Sequence, residues 1–310
     1  MPDAATLRDT LIASADLVET GVDGLYGRGE TLERLAAFVS RWVMQAGTDE
    51  NAEILRFPPV MPRSHFEQSG YFRHFPELVG TIHCFCGDEE DHRRLMRPAS
   101  SDQNYWTALQ VASDLVMVPA ACYPVYPAIA RRGPVATAGL VVDACSYCFR
   151  REPSHDAARM QMFRQHERIY IGTAEGAEAF RARWIAHAGR LATLLALPWS
   201  VVGANDAFFG RLGQVMARNQ VEQGLKSELV VPVTSDDRHT ACVSFNLHLT
   251  KMAQAFGLAL DSGQPASTAC VGFGLERLAL AVFRHHGTDP SVWPEALRDG
   301  VSQPSGMVSL

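Results

Sequence analysis

The sequence has no surplus of basic charge. Its 310 residues hold 28 Lys and Arg against 34 Asp and Glu, a formal net charge of −6 at pH 7. A protein whose main partner is nucleic acid usually carries a basic face, so no tRNA or other nucleic acid is expected as the principal ligand. No apolar run approaches the ~18 residues that a membrane span needs. The N-terminal stretch MPDAATLRDTLIASADL scatters charges among its apolar positions and lacks the apolar core of a signal peptide. No membrane segment is therefore expected, and the cytoplasm is the expected compartment. Cysteine is sparse: seven residues, an odd number. That excludes a disulfide scaffold and leaves thiols free to hold a metal. Internal repeats and low-complexity blocks are also missing.

What is present is ordinary folded composition, 47% apolar and 20% charged, enough for one large domain. Helical spacing places Leu32, Leu35, Phe38, Val39, Trp42 and Val43 on one face of a helix ended by Gly47. A short strand before Pro58 follows. Residues 139–152 and 159–172 read as the two strands of a long hairpin. Phe180, Trp184, Ala188, Leu191 and Leu195 form the stripe of an amphipathic helix. Two further strands, KSELVVPV and TACVSFNLHL, precede a last helix in GLERLALAVFRHHG. The expected class is α+β, an antiparallel sheet flanked by helices.

The hairpin and the segment ACVGFGLERLAL carry the chemistry. Side chains alternate across a strand, so Arg150 and Glu152 share one face, and Arg159, Phe163 and Glu167 share another. If the two faces coincide, one surface presents two guanidiniums, two carboxylates and a ring. Guanidinium binds phosphate bidentately, and a ring stacks on a base. A solvated strand face is the alternative. Gly272 and Gly274 would let the backbone approach a ligand while Arg277 enters from a helix start. The pair Cys145 and Cys148 points to opposite faces of a strand and is discounted as a chelate. Cys84 and Cys86 share a face but lie far from these segments.

FRRE (149–152), a loop and RMQMF (159–163) resemble motif 2 of the class II aminoacyl-tRNA synthetases, and GFGLER (272–277) resembles their motif 3. The helix, strand and proline of TLERLAAFVSRWVMQAG and AEILRFPP resemble motif 1, the dimer-forming element of that family. The resemblance implies a class II synthetase-like catalytic domain and a homodimer. It assigns Arg150 to the α-phosphate of ATP, Glu152 to the adenine amine and Phe163 to stacking on adenine. Arg159 would reach the β- and γ-phosphates and Arg277 the γ-phosphate. The implied reaction is attack of an amino-acid carboxylate on the α-phosphorus, with Mg²⁺, giving an aminoacyl-adenylate. Cys270–Arg277 also resembles the Cys-x-Gly-x-Gly-Leu-Glu-Arg of the atypical seryl-tRNA synthetases of methanogenic archaea, where two cysteines and a glutamate bind zinc. The set implied here is Cys122, Glu167 and Cys270, one Zn²⁺ per subunit, with an open position for a free amine. Cys122 is expected on a strand adjoining motif 2. Lys226 and Glu228 share a face and are assigned to ATP phosphates and to ATP-bound Mg²⁺. Ser244 and Asn246 share a face and are assigned to the amino-acid pocket. His166 points away from Glu167 and is not counted as a ligand.

The first helix of catalytic type begins near residue 30, and little chain follows motif 3, so no tRNA-binding arm is expected. A short zinc-containing seryl-like domain resembles the bacterial amino acid:[carrier protein] ligases, and GVDGLYGRGETLERL and RFPPVMPRSHFEQSGYFRHFP look like that group too. The resemblance implies activation of a small amino acid, glycine or alanine, with ATP and its transfer to the phosphopantetheine thiol of a carrier protein. Residues 1–298 are read as the domain and 299–310 as a loose tail. The stretch 173–224 is read as a helical insertion whose Arg181, Arg183 and Arg190 offer a surface to an acidic carrier. A seryl-like tRNA synthetase, a non-catalytic synthetase paralogue and an enzyme with another acceptor, such as a free amine, are the alternatives.

Overall fold

Two long stretches of alternating side chains pair as an antiparallel hairpin and form part of one large sheet. The computed structural model describes residues 4–96, 104–206, 208–237 and 239–302. The described strands are β1 (Leu17–Glu19), β2 (Tyr26–Arg28), β3 (Glu53–Leu55), β4 (Val60–Pro62), β5 (Thr81–Phe85), β6 (Gln110–Met117), β7 (Leu140–Phe149), β8 (Met162–Gly172), β9 (Ser200–Gly203), β10 (Lys226–Val231), β11 (Thr240–Leu249) and β12 (Ser267–Gly274). The helices are α1 (Ala4–Ala13), α2 (Glu30–Ala46), α3 (Arg63–Ser69), α4 (Tyr71–His74), α5 (Glu89–Leu95), α6 (Asn104–Ala108), α7 (Val125–Ala130), α8 (Ala174–Leu194), α9 (Gly210–Glu222), α10 (Lys251–Phe256), α11 (Leu275–His286) and α12 (Glu295–Ser302).

Seven strands form one sheet in the order β3-β7-β8-β12-β11-β10-β9. All neighbours are antiparallel except the edge pair β3 and β7, so the expected α+β architecture holds with one parallel edge. A separate sheet, β4-β6-β5, stands beside it. One face of the large sheet is covered by α2, α8 and α11. Their expected stripes are buried: Leu32, Leu35, Val39 and Val43 from α2, Phe180, Trp184 and Leu191 from α8. They meet Phe245 and Phe273 from the sheet, with the Trp184 ring edge-on to Phe273 at 5.9 Å. Thr173 starts α8 by accepting a hydrogen bond from the Gly176 N–H at 3.1 Å. On the other face, α7 and α10 close one end around Tyr126, Ile169 and Phe256. The rest of that face is open.

The stretch 173–224, expected as a helical insertion, carries α8 over the main core and β9 paired with β10 at an edge of the sheet. α12 runs past residue 299 to Ser302, packing Leu297 and Val301 inward, and residues 303–310 lie outside those described.

Buried charges tie the open face to its supports. Glu276, at the start of α11, accepts from the Arg164 backbone N–H at 2.8 Å and from Arg164 Nε at 2.7 Å, and the same guanidinium donates to Glu33 of α2 at 2.6 and 2.9 Å. One network thus spans the motif 1 helix, β8 and the helix after Gly274. A second joins Ser40, His166 and Asp143, with Ser40 Oγ 2.6 Å from His166 Nδ1 and His166 Nε2 2.8 Å from Asp143 Oδ2. Its connectivity is that of a hydrolase triad, but His166 is completely buried, no substrate reaches it, and as expected it takes no part in the open face. Burial works against the Asp143 charge, yet the His166 bond and the guanidiniums of Arg56 and Arg168 hold it far below the ordinary carboxylate range.

Breaking the first network by Glu276→Gln is expected to cost about 3–5 kcal/mol, because Arg164 keeps its buried charge with one carboxylate fewer. Urea unfolding should show a lower midpoint at unchanged slope. A midpoint equal to that of the native protein would remove the structural role given to Glu276.

Candidate active site

A cavity of about 680 Å³ lies on the open face, floored by β8, β12, β11 and β10 and walled by the loop 150–160, α4, the turn 119–124 and the segment around Asp206. Register lines up its floor in rows. Glu167 pairs with Gly272, Gly272 with Ser244, and Ser244 with Glu228. One row along, Cys270 pairs with Asn246 and Asn246 with Lys226. A Cβ on Gly272 would lie 3.3 Å from Ser244 Oγ and 3.5 Å from Glu167 Cγ, so the missing side chain keeps the floor open between them.

Arg150, Glu152 and Arg159 reach the cavity from the loop, since β7 ends at Phe149 and β8 begins at Met162. Strand parity therefore does not govern these three, and the hairpin is shorter than expected. Arg150 Nε donates to the Pro119 carbonyl at 3.1 Å, and its guanidinium carbon sits 5.4 Å from the Phe163 ring centroid. Arg159 is half-exposed, with Glu152 Oε1 at 3.8 Å and Asp156 Oδ2 at 4.0 Å. Arg277 is held by two carbonyls: Nε donates to Ala158 O and Nη1 to Ala241 O, both at 2.9 Å. Burial disfavours its charged form, with nearby Arg150 acting the same way. Among the described residues no carboxylate pairs with Arg150 or Arg277. Recessed guanidiniums without a counter-ion make this end of the cavity a seat for anions.

Lys226 and Glu228 share the cavity as expected, but the ammonium is already taken. Lys226 Nζ lies 2.6 Å from Asp206 Oδ1 and 3.0 Å from Glu228 Oε1, and Gln220 Nε2 donates to Asp206 Oδ2 at 2.9 Å. The α8 arginines expected to offer a surface to a carrier are engaged too. Arg183 donates to Glu50 at 2.7 Å, Arg181 to the Gly224 carbonyl, and Arg190 contacts His187.

The other end of the cavity holds Cys122, Glu167 and Cys270, all buried, their ligand atoms within 4.8 Å of one another. Cys122 sits in the turn before α7, not on an adjoining strand: β7 fills the place beside β8, and β6 belongs to the small sheet. Glu167 Oε1 accepts from the Ala121 N–H at 3.1 Å, whereas Oε2 is buried without a hydrogen-bond partner among the described residues. Burial, with Cys270 adding to it, pushes the Glu167 carboxyl up to about 8. The closeness of the two sulfurs lowers Cys270 and raises Cys122, and His248 and Asn246 favour the Cys270 thiolate as well. Two soft sulfurs, one carboxylate and an orphaned carboxylate oxygen fit a tetrahedral zinc ion that keeps one position open. Cys145 and Cys148 lie in cores on opposite sides of the sheet, Cys148 in the same core as Cys122 and Cys270, and the exposed Cys84 and Cys86 stand on and beside β5; among the described residues none of the four joins the group of ligand atoms.

His248, Asp206, Tyr71, Tyr123 and Phe208 also line the cavity and were not anticipated. His248 had a signal: it continues the alternation of Ser244 and Asn246. Asp206 and the aromatic wall had none, because only long-range packing brings them here.

No family model matches the chain. Amino acid–acyl-carrier-protein ligase 2 of Bradyrhizobium diazoefficiens is 45% identical over 297 residues, 93% of this chain and 86% of the relative. Ligase 1 of the same organism is 44% identical over 307 residues, 96% and 92% of the two chains. The type-2 serine–tRNA ligase of Methanopyrus kandleri is 25% identical over 62% of this chain and 38% of its own. Among solved structures, M. kandleri SerRS in complex with A. aeolicus tRNASec superposes with a TM-score of 0.82 at 19% identity, covering 97% of this chain and 61% of that one. Seryl-tRNA synthetase from Pyrococcus horikoshii complexed with ATP gives 0.69 at 13%, covering 97% and 63%. The chain thus spans about three fifths of either synthetase, and at such identities the likeness is one of fold. With its class II synthetase fold and two relatives matched along nearly their whole length, the chain belongs to the amino acid–acyl-carrier-protein ligase family and is a ligase.

Proposed function

We propose that this ligase joins a small amino acid, glycine or alanine, to AMP at the expense of ATP and passes the aminoacyl group to the phosphopantetheine thiol of a carrier protein. The observation that carries the reading is the shared cavity: unneutralised Arg150 and Arg277 at one end, Cys122, Glu167 and Cys270 at the other. Phe163 stacks on adenine, Glu152 accepts from its amine, and Arg150, Arg159 and Arg277 grip the triphosphate, with Glu228 beside ATP-bound Mg²⁺. The amino-acid carboxylate attacks the α-phosphorus, the bond to the β-phosphate oxygen breaks, and pyrophosphate leaves. Fixed guanidiniums need no reorganisation as charge shifts among phosphate oxygens. Cys122, Glu167 and Cys270 would hold Zn²⁺, one per subunit, which supplies an open position for an uncharged amine. Ser244 and Asn246 line the pocket floor beside it. Attack of the carrier thiolate on the adenylate carbonyl then expels AMP, and no protein nucleophile is required.

The acceptor is read as a carrier protein because the relatives matched along most of their length bear that name. The net charge of −6 also suits tRNA poorly. tRNA charging is the second reading, favoured by the likeness to SerRS. The reading includes a homodimer built on the motif 1 helix α2. It also places the reaction in the cytoplasm; among the described residues no helix is long and apolar enough to cross a membrane.

Pyrophosphate exchange with single amino acids tests the first step. Exchange with glycine or alanine is expected, and none with any small amino acid would overturn the proposal. Labelled amino acid should then appear on pantetheinylated carrier and not on tRNA; the opposite result would move the assignment to the second reading.

A further inference from the structure

The sulfur of Cys270 is served by two nitrogen donors that are not among the candidate ligands. Asn246 Nδ2 donates to Sγ at 3.5 Å, and His248 Nε2 lies 3.8 Å from it. His248 is the extra residue where the register of β11 on β12 shifts, between Leu247 opposite Ala269 and Leu249 opposite Thr268, and it lines the cavity with Ser244 and Asn246. Its nitrogens do not join the set of ligand atoms within 4.8 Å of one another, so it stands behind Cys270 and not beside it.

The far side of the ring is fixed with equal care. Nδ1 lies 3.0 Å from the hydroxyl of Thr268 and 3.5 Å from that of Tyr126, whose ring meets the imidazole edge-on at a centroid distance of 6.0 Å. Thr268 and Tyr126 are both completely buried. Two hydroxyls at Nδ1 can donate to it, which leaves the ring proton on Nε2, facing the sulfur. Thr268 stands two residues before Cys270 on β12, so orienter and sulfur ride on one strand.

We infer that His248 is a positioning residue of the metal centre, donating Nε2–H to Cys270 Sγ and held for that task by Thr268 and Tyr126. The inference rests on the reading of Cys122, Glu167 and Cys270 as zinc ligands. A hydrogen bond to a ligating thiolate fixes its direction and draws density from the sulfur, and losing such outer partners typically costs ~10–100-fold in metal affinity.

The test compares native protein with H248L, H248Q and T268V. Each is purified metal-free, titrated with Zn²⁺ against a chromophoric chelator, and loaded with Co²⁺ to read the thiolate-to-cobalt charge-transfer band. Native protein should take up one equivalent. H248L should bind about 10–100-fold more weakly with a shifted band, H248Q should recover most of the affinity through its own N–H, and T268V should lose part of it. Thermal melts of the metal-free proteins accompany each titration. Native affinity and an unmoved band in H248L would overturn the inference. So would equal losses in H248L and H248Q that follow a common fall in melting temperature, the mark of a merely structural histidine. Should H248L fail to fold, an unchanged band in T268V overturns it. If native protein binds no metal, the zinc reading itself fails first, and this inference falls with it.

Discussion

Cys270→Ser protein will lose roughly 10³-fold or more in zinc affinity, beyond the ~10–100-fold of outer-shell changes, and will support no amino-acid-dependent pyrophosphate exchange. The three candidate ligand atoms lie within 4.8 Å of one another, so on the zinc reading each would supply one of the ion's few bonds. Serine keeps the volume but offers a hard oxygen that stays protonated near neutral pH, where the thiolate is the ligand. Glu167→Gln should behave alike, since an amide supplies no charge and Oε2 has no other hydrogen-bond partner in this pocket. Cys145→Ser, in the core on the opposite side of the sheet, should keep both metal and exchange. Chelator treatment of the native protein should abolish exchange and added Zn²⁺ restore it. Metal content together with exchange in the four samples decides the matter: full exchange at zero zinc would end the metal reading while leaving the adenylate reading in place.

Arg277→Ala is the second large effect, an expected loss of about 10²–10³-fold in the exchange rate, the usual worth of one preorganised charge donor. The guanidinium is held by the carbonyls of Ala158 and Ala241, and among the described residues no carboxylate pairs with it. Its charge is therefore free for phosphate and its direction is set beforehand. Arg277→Lys should recover little, because an ammonium cannot occupy both carbonyls and still present a flat fork to the ligand. Arg150→Ala should cost a similar factor and also raise the KM for ATP, as its guanidinium lies over Phe163. Lys226→Ala should cost far less than either, its charge being spent on Asp206 and Glu228. A larger loss at Lys226 than at Arg277 would show that the cationic grip has been placed at the wrong end of the floor.

Short-range patterns were legible in the sequence, and long-range ones were not. The stripes of α2 and α8 and the hairpin of β7 and β8 follow from spacing alone. The glycines and the Arg of the segment 272–277 stand together in the chain and so stay together in space. Parity placed Ser244 with Asn246 and Lys226 with Glu228, because each pair lies within one strand. It misplaced the loop-borne Arg150, Glu152 and Arg159, since nothing local says where a strand stops. The strand position expected for Cys122 failed for a related reason: its neighbours in sequence form another sheet, and only the closing of a turn onto β8 brings the thiol to Glu167. Asp206 was invisible because its meaning, cancelling Lys226, arises from a contact across twenty residues.

The network of Glu276, Arg164 and Glu33 separates two residues that sit side by side in every reading of GLER. Arg277 lines the cavity; Glu276 is buried and fastens three elements together. A descendant that abandoned nucleotide chemistry would be free to discard the arginine but would still need the glutamate to stand.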